Sequence, residues 1–294
     1  MKKLKINMFN RLFFTLRCVF IITLCMIPML SCAPRTSLVS AKREIPLPAI
    51  MYHSILRDPT RAGTYVISPE LLRDDLTYLK QNGYTTVFVS DLINFVSGCG
   101  ALPEKPVLIT LDDGYYNNLV YVLPILEELD MKAVISVVGS FTQTFSDCVD
   151  PNPNYGHCSW EEIRQLVQSG HVEIGNHSYN MHSQSARFGS MRRAGEGKND
   201  YRNAFCDDIG RMQDALMSNS GVECVIFAYP FGQISPETRG YLKEMGFCCT
   251  LTCYEKVSTI TQGDADCLFG IGRFNRPSGV STIRFMRNVL GDID

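Results

Sequence analysis

The sequence predicts a single α/β domain in which helices cover a parallel sheet, built either as a barrel or as a wound sheet. Strand-like and helix-like patterns alternate seven or eight times between residue 48 and the C-terminus. The run V-L-I-T-L at 107–111 is apolar or β-branched throughout, as expected of a parallel strand buried on both faces. The roughly 260 residues that follow the N-terminal segment are enough for one large core.

The N-terminal segment has the composition of an export signal. Five basic residues and no acidic residue accompany an apolar run at 18–30, which ends at Ser31 and Cys32. A membrane-spanning helix needs about 20 apolar residues, so this run is short for one. M-L-S-C at 29–32 resembles a bacterial lipobox, in which Cys32 would carry the lipid. We therefore expect an exported protein, either a lipoprotein on the outer face of the cell membrane or a secreted protein; an uncleaved anchor is the other reading.

Charge and cysteine content limit which binding partners, disulfides and metal sites are plausible. Beyond residue 32 the chain has 23 Lys plus Arg against 30 Asp plus Glu, a formal charge of −7. A nucleic-acid partner requires a basic face, so this balance argues against one. Nine cysteines follow Cys32, an odd number, and the pair flanking a Pro/Asn/Gly-rich loop, Cys148 and Cys158, is the most plausible disulfide. The remaining spacings do not favour metal binding by cysteine.

Short apolar runs bounded by turn-forming residues predict the strands. They cover residues 48–52, 84–89, 107–111, 132–138, 172–175, 225–229, 247–251 and 268–272.

Capping residues and amphipathic patterns predict the helices. These cover residues 69–81, 117–129, 159–170, 201–217, a helix opened by Ser235-Pro236-Glu237, and 281–290. Residues 140–158 are expected to be an irregular insertion. Residues 183–200 form a long polar loop of the kind that often serves as a lid or binding loop, and we hypothesise that it shapes substrate choice.

Polar residues follow several of the predicted strands directly. If the strands are parallel, all of these residues lie on one rim, where barrel enzymes place their active sites. The residues are His53, Asp112, Asp113, His177, the Pro230-Phe231 pair and Arg273.

His177 and His182 are five residues apart, a spacing that does not suit one helical face, so a loop must present them. With one carboxylate they would form a two-histidine, one-aspartate set suited to catalytic Zn²⁺ or a similar divalent ion. The alternative is that both histidines bond backbone groups, and that Asp112-Asp113-Gly114 simply forms a turn.

The motifs T-L-D-D-G at 110–114 and N-H-S-Y-N-M-H at 176–182 resemble the first two motifs of the polysaccharide deacetylases, the NodB-homology enzymes of carbohydrate esterase family four. The resemblance extends over nearly all of residues 45–294. It implies a distorted (β/α) barrel of about seven strands. The signal expected at 1–32 and a polar tether expected at 33–44 precede this domain. The implied activity is removal of N-acetyl groups from N-acetylglucosamine units of a cell-envelope or extracellular polysaccharide.

The resemblance also implies residue roles. Asp112 would be the catalytic base, while Asp113, His177 and His182 would hold one divalent metal ion, zinc in the first place and cobalt or nickel as alternatives.

Two departures from the family pattern matter. No histidine follows His182, although the family's C-terminal motif takes its general acid from one. M-Y-H-S-I at 51–55 resembles instead the N-terminal segment of a circularly permuted branch that includes deacetylases of poly-N-acetylglucosamine, which makes His53 the candidate acid. The third motif appears as F-A-Y-P-F-G at 227–232, without the family's arginine.

The third motif still offers binding groups. Pro230 precedes Phe231, whose backbone N–H can contribute to an oxyanion hole. Tyr229 and Phe231 are candidates for stacking on sugar faces, although buried aromatic rings are more often part of the core. Arg273, in G-R-F-N-R-P, is a candidate replacement for the missing arginine; the alternative is an arginine that only caps the core.

Two other functions fit parts of the same pattern. An O-acetyl esterase of the xylan type would use the same site, because an ester is cleaved by the same groups. A non-catalytic glycan-binding lipoprotein would also be exported, but the presence of the base, acid and ligand candidates argues against it.

Overall fold

The computed structural model describes residues 42–185 and 187–291. The predicted signal, the candidate lipid site at Cys32 and most of the predicted tether lie outside these residues. The strands of the described part are β1 (Glu44–Leu47), β2 (Ala49–Tyr52), β3 (Ser54–Ile55), β4 (Val66–Ile67), β5 (Thr85–Thr86), β6 (Pro106–Leu111), β7 (Ala133–Val137), β8 (Val172–Asn176), β9 (Ile226–Ala228), β10 (Cys249–Leu251), β11 (Ser258–Thr261), β12 (Phe269–Ile271) and β13 (Phe274–Asn275).

The helices alternate with these strands. The α-helices are Pro69–Gln81, Val89–Val96, Leu123–Leu129, Gly139–Asp147, Trp160–Gln168, Lys198–Ser220, Thr238–Glu244 and Thr282–Leu290. A π-helical turn at Asn118–Val122 and 3₁₀ turns at Pro59–Arg61, Pro230–Gly232 and Ala265–Leu268 complete the regular structure.

The main sheet is parallel and curls into a barrel. Its strand order is β12-β10-β9-β8-β7-β6-β2-β13, and β5 also pairs with β6. The two end strands, β12 and β13, are separated along the chain only by Gly272 and Arg273. This single interrupted segment therefore pairs with β10 on one side and with β2 on the other, which brings the two edges of the sheet together. The prediction of a distorted barrel of about seven strands in one domain is confirmed.

Local sequence explains where the helices begin. Ser68 accepts a hydrogen bond from the N–H of Leu71 at 3.2 Å, and Pro69 occupies the first helical position. Ser159 and Glu162 form the predicted capping box. Most helices then pack an apolar stripe against the sheet, and these stripes form the core around the barrel. A second cluster of buried side chains lies between helix Lys198–Ser220 and β9.

Two predicted elements were wrong. Residues 140–158, expected to be irregular, contain the helix Gly139–Asp147. Its fully buried residues are Gly139 and Thr142, and its two phenylalanines pack on the ring of His157 rather than in the main core, so its sequence lacks the broad apolar stripe of a core helix. The strand predicted at 84–89 is only two residues long, because Phe88 already caps the next helix through a 2.9 Å bond from its N–H to Asp91 Oδ2.

The predicted disulfide was also wrong. Cys148 is an exposed free thiol, whereas Cys158 is buried and lies 3.4 Å from the carbonyl oxygen of Tyr115. Every cysteine of the described residues is free. Within the same part of the chain, the helices are too short or too polar to cross a bilayer.

Candidate active site

The polar residues predicted at strand ends meet at the carboxyl-terminal mouth of the barrel. A cleft of about 550 Å³ opens there. Its wall consists of Met51, His53, Tyr65, Asp112, Asp113, Tyr115, His177, His182, Gln184, Phe188, Phe231, Cys253 and Asn275. Parallel strands deliver these side chains to one rim although they are far apart in the sequence.

Asp112 is held by a fully buried arginine. Arg273 Nη1 and Nη2 donate to the two carboxylate oxygens of Asp112 at 2.7 and 2.8 Å. The guanidinium is itself fixed, because its Nε donates to the carbonyl oxygen of Thr252 at 3.0 Å. Burial acts to raise the pKa of Asp112, but the charge of Arg273 and its hydrogen bonds to the carboxylate hold this pKa below its usual value. Asp112 is therefore an ionised and oriented carboxylate.

Asp113, His177 and His182 converge at a second point of the cleft. Their potential ligand atoms all lie within 4.8 Å of one another. Nε2 of His177 is 3.6 Å and Nε2 of His182 is 3.1 Å from Asp113 Oδ1. Ligands about 2.1 Å from a tetrahedral ion are about 3.4 Å apart, so this spacing suits a metal.

The tautomer of His177 gives an independent test of whether this cluster suits a metal ion. Its Nδ1 lies 2.8 Å from the carbonyl oxygen of Ala228, which can only accept, so Nδ1 carries the proton. Nε2 then presents a lone pair towards Asp113 Oδ1, a buried atom that forms no well-aligned hydrogen bond with any described residue although His182 Nε2 lies 3.1 Å away. Two buried acceptors that face each other need a cation between them. The donor set therefore fits a divalent metal ion.

The backbone around the cleft is held in unusual conformations. Asp113, Ser178 and Phe231 have φ values of 73°, 73° and 55°, the left-handed region that side chains rarely adopt. Gly114 follows at φ 66°, where a Cβ would lie 2.6 Å from Val137 Cγ1. Among described non-glycine residues, Asp130 at a helix end is the one further case. Strain is thus concentrated at the site.

Two residues that the sequence analysis missed hold the loop between the two histidines. Asn176 Oδ1 accepts from the N–H of Ser178 at 2.8 Å. Asp208, on the helix Lys198–Ser220, accepts from the N–H groups of Tyr179 and Asn180 at 2.9 Å each. Nothing in the sequence pairs Asp208 with this loop, because the contact spans about thirty residues and depends on helix packing.

His53 lies on the same cleft. Asn118 Nδ2 donates to the carbonyl oxygen of His53 at 3.1 Å, and the imidazole meets the ring of Tyr65 edge-on at 4.7 Å. Burial lowers the pKa of His53, and the charges of Asp112 and Asp113 oppose that effect.

His157, for which the sequence offered no role, supports Asp113. Its Nδ1 donates to the carbonyl oxygen of Asp113 at 3.0 Å, and its ring stacks on Tyr115 at 4.7 Å. A short bridge pairs Tyr115 with His157. This contact joins the aspartate turn to the segment before helix Trp160–Gln168.

The residues of the third motif, 227–232, lie partly in the cleft and partly in the core. Phe231 lines the cleft and packs on His182, with ring centroids 4.3 Å apart. Pro230, which precedes it, is buried. Tyr229, a candidate for substrate binding, is instead buried in the second core cluster, where its hydroxyl bonds Thr238 Oγ1 at 3.0 Å.

A curled parallel sheet of this kind is the architecture of the NodB-like deacetylases. The profile of the polysaccharide deacetylase family matches residues 100–249, about half of the chain, and the chain belongs to this family. That match includes Asp112, Asp113, both site histidines and Phe231, but neither His53 nor Arg273.

Several relatives extend the match. The chain is 26% identical over 239 residues to the poly-β-1,6-N-acetyl-D-glucosamine N-deacetylase of Escherichia coli strain K12, covering 74% of this chain and 35% of that protein. It therefore spans about a third of the length of that relative. A solved de-N-acetylase from Aggregatibacter actinomycetemcomitans is similar with a TM-score of 0.68 and 26% identity, covering 81% of this chain and 98% of the other. IcaB from Ammonifex degensii has a TM-score of 0.64 and 27% identity, with coverage of 80% and 93%.

Proposed function

We propose that this protein is a metal-dependent N-deacetylase that removes acetyl groups from N-acetylglucosamine units of a cell-envelope or extracellular polysaccharide. The observation that carries the proposal is the juxtaposition, in one cleft, of the Asp113/His177/His182 cluster with an arginine-clamped Asp112 and with His53. The names of its relatives supply the substrate class, poly-N-acetylglucosamine.

Asp113, His177 and His182 would hold the metal, zinc first and cobalt or nickel as alternatives. When bound, such an ion supplies Lewis acidity, which polarises a carbonyl and lowers the pKa of water towards about 7.

Asp112 is assigned as the general base. It is ionised, fixed in orientation by Arg273 and placed next to Asp113 in the sequence, so it can take a proton from a water at the neighbouring ligand cluster. Arg273 keeps the carboxylate charged and oriented, and so is a positioning residue in this scheme.

Phe231 and His53 act on the two ends of the amide. The backbone N–H of Phe231 is assigned to the oxyanion that forms at the acetyl carbon. His53 is assigned as the acid that gives a proton to the departing amine, because an amine is a poor leaving group unless it is protonated.

Acetate release tests the proposal. The full-length chain should release acetate from poly-N-acetylglucosamine, lose this activity on chelation and recover it on readdition of single divalent metals. Chitin oligomers and peptidoglycan, tested in parallel, define the polymer. Asp112→Asn should lower kcat by at least about 100-fold. Release that is unaffected both by chelation and by Asp112→Asn would overturn the proposal.

An O-acetyl esterase is the second candidate, favoured by one observation. Because burial lowers the pKa of His53, less of this imidazole is protonated at neutral pH. An alkoxide leaves with less help from an acid than an amine does. His53→Ala should therefore abolish amide cleavage, and retention of acetate release from acetylated xylan by this variant would favour the esterase.

The localisation of the protein outside the cytoplasm is part of the proposal. Residues 1–32 are assigned as an export signal, residues 33–44 as a tether and residues 45–294 as the catalytic domain. Cys32→Ala tests lipidation. The variant should leave the detergent phase on partitioning if Cys32 carries a lipid, whereas unchanged partitioning would indicate secretion or an uncleaved anchor.

A further inference from the structure

Exposed aromatic rings are concentrated on the face of the barrel that carries the cleft. In the described residues, the aromatic side chains with large exposure are Tyr65, Tyr155, Phe188 and Tyr254. All four lie in segments beyond the carboxyl ends of sheet strands. Two of them, Tyr65 and Phe188, also line the cleft, whereas Tyr155 and Tyr254 do not.

Phe188 extends the aromatic surface that begins at the candidate metal site. Its side chain is 42% exposed, and its ring centroid lies 5.5 Å from that of Phe231. Phe231 in turn packs on His182 at 4.3 Å. A flat apolar ring thus stands in solvent one ring away from a predicted metal ligand.

The loop that carries Phe188 is firmly docked. Arg187 donates to both carboxylate oxygens of Glu196 at 2.9 and 2.5 Å, and these two side chains are mostly buried. Ser190 Oγ donates to the carbonyl oxygen of Gln233 at 3.0 Å. Gly189 allows this approach, because a Cβ there would lie 2.5 Å from the carbonyl oxygen of Pro230. The position of Phe188 is therefore built into the fold.

Tyr65 occupies the acid side of the cleft. Its ring is 57% exposed and meets the imidazole of His53 edge-on at 4.7 Å. The segment is anchored on both sides, since the N–H of Ser54 donates to the carbonyl oxygen of Tyr65 at 3.1 Å and Asn275 Nδ2 donates to that of Thr64 at 2.9 Å.

We propose that Phe188 and Tyr65 are two stacking platforms for pyranose rings that flank the N-acetylglucosamine unit in the cleft, one on the metal side and one on the acid side. The proposal rests on the proposed function. Single exposed rings are common on protein surfaces, but these two border the cleft, and the apolar C–H faces of a pyranose match an aromatic face. The enzyme would then recognise a stretch of polymer rather than one sugar.

Binding measured without turnover tests this. Asp112→Asn serves as the parent, and the ligands are a β-1,6-linked pentamer of N-acetylglucosamine and the monomer. Adding Phe188→Ala or Tyr65→Ala should raise the Kd for the pentamer about fivefold each, with little change for the monomer. Phe188→Tyr, which keeps the ring, should restore pentamer affinity. Tyr155→Ala is the matched control: it removes a ring of similar exposure outside the cleft and should leave both Kd values unchanged.

The outcomes separate the two proposals. If the wild-type chain releases acetate but both alanine variants bind the pentamer as the parent does, the platforms are refuted and the deacetylase assignment stands. An equal loss in Tyr155→Ala would also refute them. If the wild type releases acetate from none of the pentamer, chitin oligomers and peptidoglycan, both proposals fail. Melting temperatures equal to that of the parent establish that each variant is folded.

Discussion

At the residue scale, Asp112 and Asp113 differ in their neighbours rather than in their burial. Both are almost inaccessible to water, yet Asp112 faces a guanidinium while Asp113 faces two imidazoles. A carboxylate clamped by arginine is unavailable as a strong metal ligand, whereas one that faces the lone pair of His177 Nε2 at 3.6 Å is suited to share a cation with it. The different roles assigned to these adjacent side chains follow from this difference.

Arg273→Lys tests the clamp on Asp112. Lysine keeps one positive charge but loses the bidentate fork, so Asp112 should lose its fixed orientation and kcat should fall about 100-fold. Arg276→Lys is the matched control, because Arg276 forms a second fully buried ion pair in the described part of the chain, with Asp75 at 2.7 Å, and neither residue lines the cleft. It should lower the melting temperature without changing kcat. Equal losses of kcat in both variants would contradict the positioning role of Arg273.

His157 should tune metal affinity through the Asp113 backbone. His157→Leu removes the donor to the carbonyl of Asp113, and we expect metal to bind about tenfold more weakly. His157→Asn, whose amide can replace Nδ1, should restore most of the affinity. His171 makes a similar 2.9 Å bond to the carbonyl of Met131 before β8, so His171→Leu should leave metal affinity unchanged in a competition titration. Wild-type affinity in His157→Leu would refute the idea.

At the element scale, the interrupted segment β12-β13 places Arg273. Ile271 ends the pairing with β10 and Phe274 begins the pairing with β2, so Gly272 and Arg273 lie where the chain crosses between two neighbours. A Cβ at residue 272 would lie 2.6 Å from the backbone carbonyl oxygen of Tyr254, so the close approach of the two segments requires glycine. The break directs the guanidinium into the barrel, where it meets Asp112.

The sequence predicted the strands that carry the site because their apolar runs and turn residues are local signals. It identified the residues at the strand ends for the same reason, since parallel strands share one rim. It did not predict the helix Gly139–Asp147, Asp208 or the support from His157, because those depend on contacts between distant segments. Arg273 was a candidate from its motif, but its partner is set by the curl of the sheet.

The loop that carries Phe188 should loosen in acid. The bonds from Arg187 lower the pKa of Glu196 to about 2, against about 4.3 in an unfolded chain. A depressed pKa stabilises the fold fully above the unfolded value, and that contribution is lost as pH falls from about 4.3 through 2. The melting temperature of Glu196→Gln should therefore lie below wild type by a constant amount at pH 5 to 7, and the gap should narrow below about pH 4.3.

Glu244→Gln is the control for this experiment. It removes an exposed ion pair with Arg202 and should change the melting temperature little at any pH. A gap between Glu196→Gln and wild type that stays constant down to pH 3 would contradict the assignment of the loop's acid sensitivity to Glu196.

At the scale of the whole molecule, the site assembled for a cation lowers the folding stability of the barrel. The sheet, its core and its helices hold three potential ligands together with a strained backbone at Asp113, Ser178 and Phe231. Natural proteins often give up stability at functional sites in this way. Binding a metal should return part of it, because a ligand that binds only the folded state stabilises that state.

Comparing the melting temperatures of wild type and Asp113→Asn with and without metal is the sharpest test at this scale. Zinc at about 100 times its Kd adds about 2.7 kcal/mol, which should raise the melting temperature of wild type by about 5 to 10 °C. Asp113→Asn removes a buried charge that faces lone pairs, so without metal it should melt no lower than wild type. With zinc the order should reverse. Scanning calorimetry of both chains, with and without chelator, measures this, and His53→Ala should keep the zinc shift. An Asp113→Asn chain that gains as much from zinc as wild type would place the ion elsewhere.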